Sequence, residues 1–274
     1  MPDIRYHFIY LIAVFLMLGI GLLVGASFIG PDQVKRQTVY LRDLRVQAET
    51  AVTERRATQD QLTKLDATLD ALRPALVRGK LAGRRVTLIQ TGDYAEATQQ
   101  AATALRDAGA LPAMTLALGP KWQALTPDVR TADLMALAGA LARGTPDALQ
   151  PLEDQSLVTV TGSLTAPGSL FVLVGGGKDD AAPEAPLDGE LIAQLQAQAG
   201  DAAHIVGCES FDAVRSFIPV YQSAQIPTVD CIDRPLGQLD LPFALRGGDD
   251  AADYGLKPTA RRQTPPSLEA QPDS

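Results

Sequence analysis

Histidine and cysteine are almost missing from this chain, with two of each in 274 residues. So few imidazoles leave Ser/His/Asp catalysis little to draw on, and there is no Met- or His-rich tract. His7 precedes a long apolar run, and His204 opens a short apolar stretch where a satisfied structural role is expected. Positive charge is scarce too: 24 Lys and Arg against 32 Asp and Glu give a net charge of −8. That balance argues against nucleic-acid partners, which need concentrated positive charge to displace counterions. No G-x-G-x-x-G and no G-x-S-x-G occurs. Gly175-Gly176-Gly177-Lys178 lacks the first glycine of a phosphate loop, and Asp179 stands where a magnesium-holding Ser or Thr belongs. It reads as a turn. The sequence carries no enzyme signature, and no catalytic role is expected.

What the chain does contain begins at its N-terminus. Phe8 to Ile29 is a run of 22 residues without a charge, enough helix to reach roughly 33 Å against a hydrocarbon core of about 30 Å. The core of a signal peptide spans only about 7–15 residues, so residues 1–30 read as an uncleaved transmembrane anchor. Gly19, Gly21 and Gly25 lie within it, and Gly21 with Gly25 makes a GxxxG pair suited to close helix packing in the membrane. Lys35, Arg36, Arg42 and Arg45 follow the span while Arg5 precedes it. Flanking charge alone leaves open which side of the membrane the rest of the chain occupies.

Residues 31–78 read as a coiled-coil stalk. With Val34 at a, the a series runs Val34, Leu41, Ala48, Arg55, Leu62, Leu69 and the d series Gln37, Leu44, Ala51, Thr58, Leu65, Leu72. Nine of the twelve are apolar, ending in an unbroken leucine ladder, the pattern of a self-associating helix. The competing reading packs the leucine face on the chain's own globular domain. Pro74 is expected to end the helix.

From residue 79 to 246 the pattern changes to a Rossmann-like parallel α/β domain. Expected strands are Val86–Gln90, Ala113–Leu118, Leu170–Val174, His204–Cys208 and Thr228–Ile232, and expected helices Ala95–Ala108, Pro127–Ala142, Gly189–Ala199 and Phe211–Ala224. Ligands in such sheets bind beyond the carboxyl ends of the strands, which directs attention to Gly92, Gly175 and Asp230. Residues 247–274, rich in Pro, Gln, Asp and Ser, read as a disordered tail. Cys208 and Cys231 fall at the ends of two expected strands. Three readings stay open for them: unlinked thiols, a disulfide closing a loop of 23 residues worth about 3 kcal/mol, or a two-thiolate metal site for Cu(I).

Several stretches together carry a resemblance. Asp3, Arg5, Tyr6 and His7 lead into an apolar run containing Gly19 and Gly21. Val229-Asp230-Cys231-Ile232-Asp233 with Pro235-Leu236-Gly237, and Asp253-Tyr254-Gly255-Leu256-Lys257, complete the set. In this order the chain resembles the mycobacterial copper transport protein B (MctB) family from residue 3 to about 260. The resemblance departs at Cys231, where the family pattern carries a polar residue without a thiol. It implies a single-pass bacterial envelope protein with its soluble domain outside the cytoplasm, copper as the implied ligand, and a part in copper efflux or homeostasis. One apolar helix cannot line an ion pathway alone, so an oligomeric accessory or scaffold is the expected form of that part, with the membrane, further copies of the chain and envelope proteins as partners. The alternative is a structural envelope or cell-division-type scaffold with a non-catalytic docking domain. A small-ligand sensor using the strand-end cleft is a third reading.

Overall fold

Apolar runs too short for helices, bounded by glycine and polar turns, set the centre of the molecule. The computed structural model describes residues 4–28, 31–164, 166–180, 187–200 and 203–268. The chain divides into two units, Met1–Thr63 and Lys64–Ser274.

In the first unit, α1 (Ile4–Phe28) is a single helix. Its segment Tyr6–Gly25 is long and apolar enough to cross a membrane, and no neighbouring atom crowds Gly19, Gly21 or Gly25. Asp3 lies outside the described residues; Tyr6 and His7 are exposed. Helix α2 (Pro31–Val77) starts in this unit, and Leu41, Leu44, Ala48, Ala51, Arg55, Thr58 and Leu62 along it are exposed.

The second unit holds a seven-stranded sheet in the order β3-β2-β1-β4-β5-β6-β7. The strands are β1 (Arg85–Gln90), β2 (Leu111–Leu118), β3 (Val158–Gly162), β4 (Leu170–Gly175), β5 (His204–Glu209), β6 (Thr228–Val229) and β7 (Asp253–Tyr254). All pairs are parallel except β2 with β3. Central β4 is buried at all six positions, as a strand covered on both faces must be. Its side chains alternate: Phe171 and Leu173 join one core, Leu170, Val172 and Val174 the other. The first core is closed by α4 (Pro127–Arg143), α6 (Asp188–Ala199) and α7 (Ile218–Ser223), the second by α3 (Ala95–Asp107) and α8 (Pro235–Arg246). A short helix, α5 (Gln150–Asp154), precedes β3.

Four expectations need correction. Pro74 does not end α2, which continues to Val77. Arg73 reaches Asp70 at 2.8 Å, Asp107 at 3.0 Å and the amide of Gln238, and Val77 is fully buried. Anchoring on either side of the proline holds a turn that local propensity alone would break. Leu65 and Leu72 remain exposed, so this part of α2 meets its domain through Arg73 and Val77, not its leucine face. The expected strand at Thr228–Ile232 keeps only Thr228–Val229, because Asp230 onward turns into α8. The expected helix at Phe211–Ala224 begins only at Ile218, since Glu209 takes the Phe217 N–H at 2.7 Å and fixes the preceding segment as a turn. Finally, the segment after Gly247 is not a tail as far as Leu268: Asp253–Tyr254 adds a strand beside β6, and Tyr254 is fully buried. Several of its polar groups are paired, with Thr228 donating to Asp253 and the Ser267 hydroxyl to Asp250, so composition misled. Residues 269–274 lie outside the described residues.

Gly207, on β5, supplies a flat seat for an aromatic ring. A Cβ there would overlap the ring of Tyr221, which is fully buried. Gly207→Ala is expected to cost about 1–3 kcal/mol through overpacking, read as a lowered midpoint with an unchanged slope in urea unfolding.

Candidate functional site

The carboxyl ends of the parallel strands gather the unit's buried polar chemistry in two places. The first lies beyond β5 and β6. Glu209, the last residue of β5, has no solvent exposure and pairs through Oε1 with the Lys257 ammonium at 2.5 Å; Ser216 donates to the same oxygen at 2.8 Å, and Oε2 accepts the Phe217 N–H. Lys257 also donates to the Ser210 carbonyl at 3.1 Å. One residue past β6, Asp230 accepts the Leu256 N–H at 2.8 Å and the Lys257 N–H at 3.1 Å, one on each oxygen. Gly255 is required there: its φ is +149°, and a Cβ would fall on the Asp230 carboxylate. Asp233 accepts the Phe211 N–H at 2.5 Å. A Cβ on Gly237 would strike the Cys231 carbonyl, and the Tyr254 hydroxyl donates to the Asp250 carbonyl at 2.7 Å. Asp230, Asp233, Gly237, Tyr254 and Gly255, singled out above by resemblance, thus act together as a clasp. It fixes the last part of the chain onto the sheet.

The cysteines belong to the same corner. Strands β5 and β6 are neighbours, and Cys208 is in register with Val229, two residues before Cys231. Both are buried free thiols. Burial raises the pKa of each, helped by the Glu209 charge at Cys208 and by Asp230, Asp240 and Asp233 at Cys231. The thiolate, which binds Cu(I) and attacks disulfides, is therefore disfavoured at both. Among the described residues, no three His, Cys, Asp or Glu side chains are grouped so as to hold a metal ion. His204, expected inside a buried strand, opens β5 but is exposed. Asp240 on α8 was not foreseen. It is fully buried and neither carboxyl oxygen has a hydrogen-bond partner among the described residues. Burial above all, and the Asp230 charge next, push its pKa up to about 8.

The second place lies beyond β1 and β2. The chain runs from β1 out to β3 on one side, then crosses to β4 on the other, so the sheet's reversal falls between β1 and β4. That crevice, the usual ligand position, is closed by backbone. The Thr91 and Gly92 N–H groups donate to the Val174 carbonyl at 2.9 and 3.1 Å, and the Asp93 N–H to Gly176 at 3.0 Å. A Cβ on Gly92 would collide with the Gly175–Gly176 backbone. The opening lies one strand over, as a cleft of about 360 Å³ between the loops after β1 and β2. Asp188 forms part of its wall, 1 % exposed, accepting from the Thr91 hydroxyl at 2.5 Å and the Tyr221 hydroxyl at 2.7 Å. Burial raises its pKa, while those two hydrogen bonds oppose the rise. Arg215 and Trp122 also line the cleft. Nothing in the spacing of these residues along the chain marks them.

Residues 1–138 and 122–265 match the family described as copper transport outer membrane protein, MctB. The chain belongs to this family. No curated protein matches it.

The orphaned Asp240 carboxyl generates a pH signature. Its pKa rises from 3.8 to about 8 on folding, so the folded protein keeps a proton that the unfolded chain releases. Stability from this group is therefore present at low pH, lost as pH rises from about 4 towards 8, and level beyond. Asp240→Asn removes the slope and leaves an offset independent of pH. Urea unfolding followed by Trp122 fluorescence is expected to show the variant gaining on the wild type by up to about 1.4 kcal/mol per pH unit between pH 5 and pH 7.

Proposed function

We propose that this MctB-family chain is an oligomeric, membrane-anchored accessory or scaffold for copper handling in the bacterial envelope, with a non-catalytic α/β domain of doubly wound, Rossmann-like type held outside the cytoplasm. The observation that carries the oligomeric part is the state of α2. Three of the four leucines of its ladder are exposed in the single chain, Leu62 at 51 %, Leu65 at 58 % and Leu72 at 51 %, and Leu69 is half-buried, while the end of the helix is already secured by Arg73 and Val77. An a/d ladder of this length buries itself best in the matching ladder of a second copy, as a coiled coil. The arrangement of small residues in α1, Gly21 with Gly25, favours the same association within the bilayer.

Copper enters this reading through the family, whose description names copper transport. The chain's own residues point to an indirect part in it. Its thiols are buried and biased towards the neutral form, so they are poorly suited to collect a soft cation from solution. That same observation favours a second reading, a structural envelope or cell-division-type scaffold whose α/β domain docks other envelope proteins and has no tie to copper.

One experiment separates the two and tests the stalk. Deletion of the gene in its host is expected to increase copper sensitivity, with restoration by the wild type and by Cys208→Ser/Cys231→Ser. The stalk variant Leu65→Asp/Leu72→Asp is expected to restore nothing. In detergent, sedimentation of that variant should show a lower oligomeric state: about 1.5–3 kcal/mol is lost per buried leucine, so two per chain weaken association more than about a hundredfold. Unchanged copper tolerance on deletion favours the second reading. Unchanged sedimentation of the stalk variant removes the coiled coil from both.

A further inference from the structure

The strand-end cleft contains a cation whose Nε is unpaired among the described residues. Arg215 lines it, with its guanidinium 5.3 Å over the Phe217 ring. The guanidinium also packs against Gly177, where a Cβ would come within 2.9 Å of Nη2. Its Nε is buried without a hydrogen-bond partner among the described residues, although arginine in such a setting is normally paired. Stacking on the ring and contact with Gly177 fix the direction of the fork, so the group is preorganised. Around it the lining is mixed: half-buried Leu118 and Leu187 stand beside Thr91, Gln123, Asp93 and Asp188, with the fully buried Trp122, whose indole N–H is already spent on the Leu157 carbonyl at 2.7 Å.

Two carboxyl groups share the cleft. Asp188 is tied down by the Thr91 and Tyr221 hydroxyls, and its burial favours the protonated form. Its side-chain partners are those two hydroxyls and not Arg215. Asp93 stands exposed at the rim and accepts the Lys178 N–H at 3.1 Å. A ligand with one negative charge meets the guanidinium without much repulsion from Asp93. A dianion such as phosphate is repelled more strongly.

From this juxtaposition of a preorganised guanidinium, its Nε unpaired among the described residues, and the half-buried Leu118 and Leu187 side chains in a 360 Å³ cleft, we infer that the cleft binds a small organic monocarboxylate, with Arg215 holding the carboxylate and Leu118 and Leu187 meeting its apolar body. The size suits a small ligand, being near the lower end of the usual range for pockets. Planar carboxylates match the arginine fork with two parallel hydrogen bonds, which lysine cannot reproduce. This inference is independent of copper and of the stalk.

Trp122 is the chain's single tryptophan, so its fluorescence reports on the cleft alone. Full-length protein in detergent micelles is titrated with sodium cyclohexanecarboxylate, with its neutral isostere cyclohexanecarboxamide, and with inorganic phosphate. The expected result is a saturable change with the carboxylate only. Arg215→Gln should weaken it at least tenfold and Arg215→Lys several-fold, with the circular dichroism of both variants unchanged. If Arg215→Gln fails to fold, the lysine variant and the carboxamide comparison still decide. The inference is overturned by no saturable change with the carboxylate, by an equal response to the carboxamide, by a preference for phosphate, or by a folded Arg215→Gln that binds as the wild type does.

Discussion

A carboxylate with no solvent exposure, Glu209, must have a counter-charge, and it takes that charge from Lys257, 48 residues further on. Removing one partner of a buried pair typically costs about 3–5 kcal/mol, because the other is left charged and unsolvated. The end of β5 therefore cannot be completed until the segment around Lys257 has arrived. Asp230 enforces the same order from β6, since its two oxygens are filled by the N–H groups of Leu256 and Lys257. One clasp thus serves two strand ends and lays down a further strand, Asp253–Tyr254, beside them. Closure of this edge and ordering of the chain after Gly247 are a single event.

That dependence explains where the sequence misleads. Strands at the centre of the sheet are continuous apolar runs and were legible to within a residue or two. So were α3, α4 and α6, whose apolar faces meet the two cores. The edges were not. Strand β3, at Val158–Gly162, alternates with threonine and is half exposed, and β7 is two residues long inside a polar stretch. A segment such as 253–268 reads as disordered because composition counts its charges and cannot count their partners. Pro74 misleads in the same way. It ends a helix by local rules, yet Arg73 and Val77 on either side are held by tertiary contacts stronger than the local penalty.

The chemistry was less legible than the fold. The cysteine pair drew attention because thiols are rare and lie at strand ends, and the strands proved adjacent. Their environment is set by Glu209, Asp230, Asp233 and Asp240, and that environment works against thiolate chemistry. Of the residues that carried the family resemblance, those in the α/β unit form the clasp, where a glycine or an aspartate is demanded by close backbone approach or by paired N–H donors. A motif of this kind identifies a fold accurately and says little about a reaction. The cleft beyond β1 and β2 had no motif at all, because Thr91, Trp122, Asp188 and Arg215 come from four separate parts of the chain. The lone tryptophan beside Gly119-Pro120, in a chain with 5 % aromatics, is the signal that could have drawn attention to the loop after β2 and did not.

These observations separate attachment from recognition. Helix α2 exposes leucines where it has no partner and buries Arg73 and Val77 where its own domain receives it, so its two faces have different tasks. The domain, for its part, has spent its ionic groups internally at the β5–β6 corner: Glu209, Lys257, Asp230 and Asp253 all find partners within the unit. Asp240, the corner's unpaired carboxyl among the described residues, is fully buried with its pKa pushed up to about 8, so the corner offers little with which to capture an ion. Arg73 and Arg215 each keep a buried Nε unpaired among the described residues, but Arg73 is paired with Asp70 and Asp107 whereas Arg215 lines the cleft. A structure that satisfies its charges in one place and withholds satisfaction in another directs its binding to the second. By that argument the domain's recognition resides at the β1–β2 cleft, and the thiol corner serves the fold.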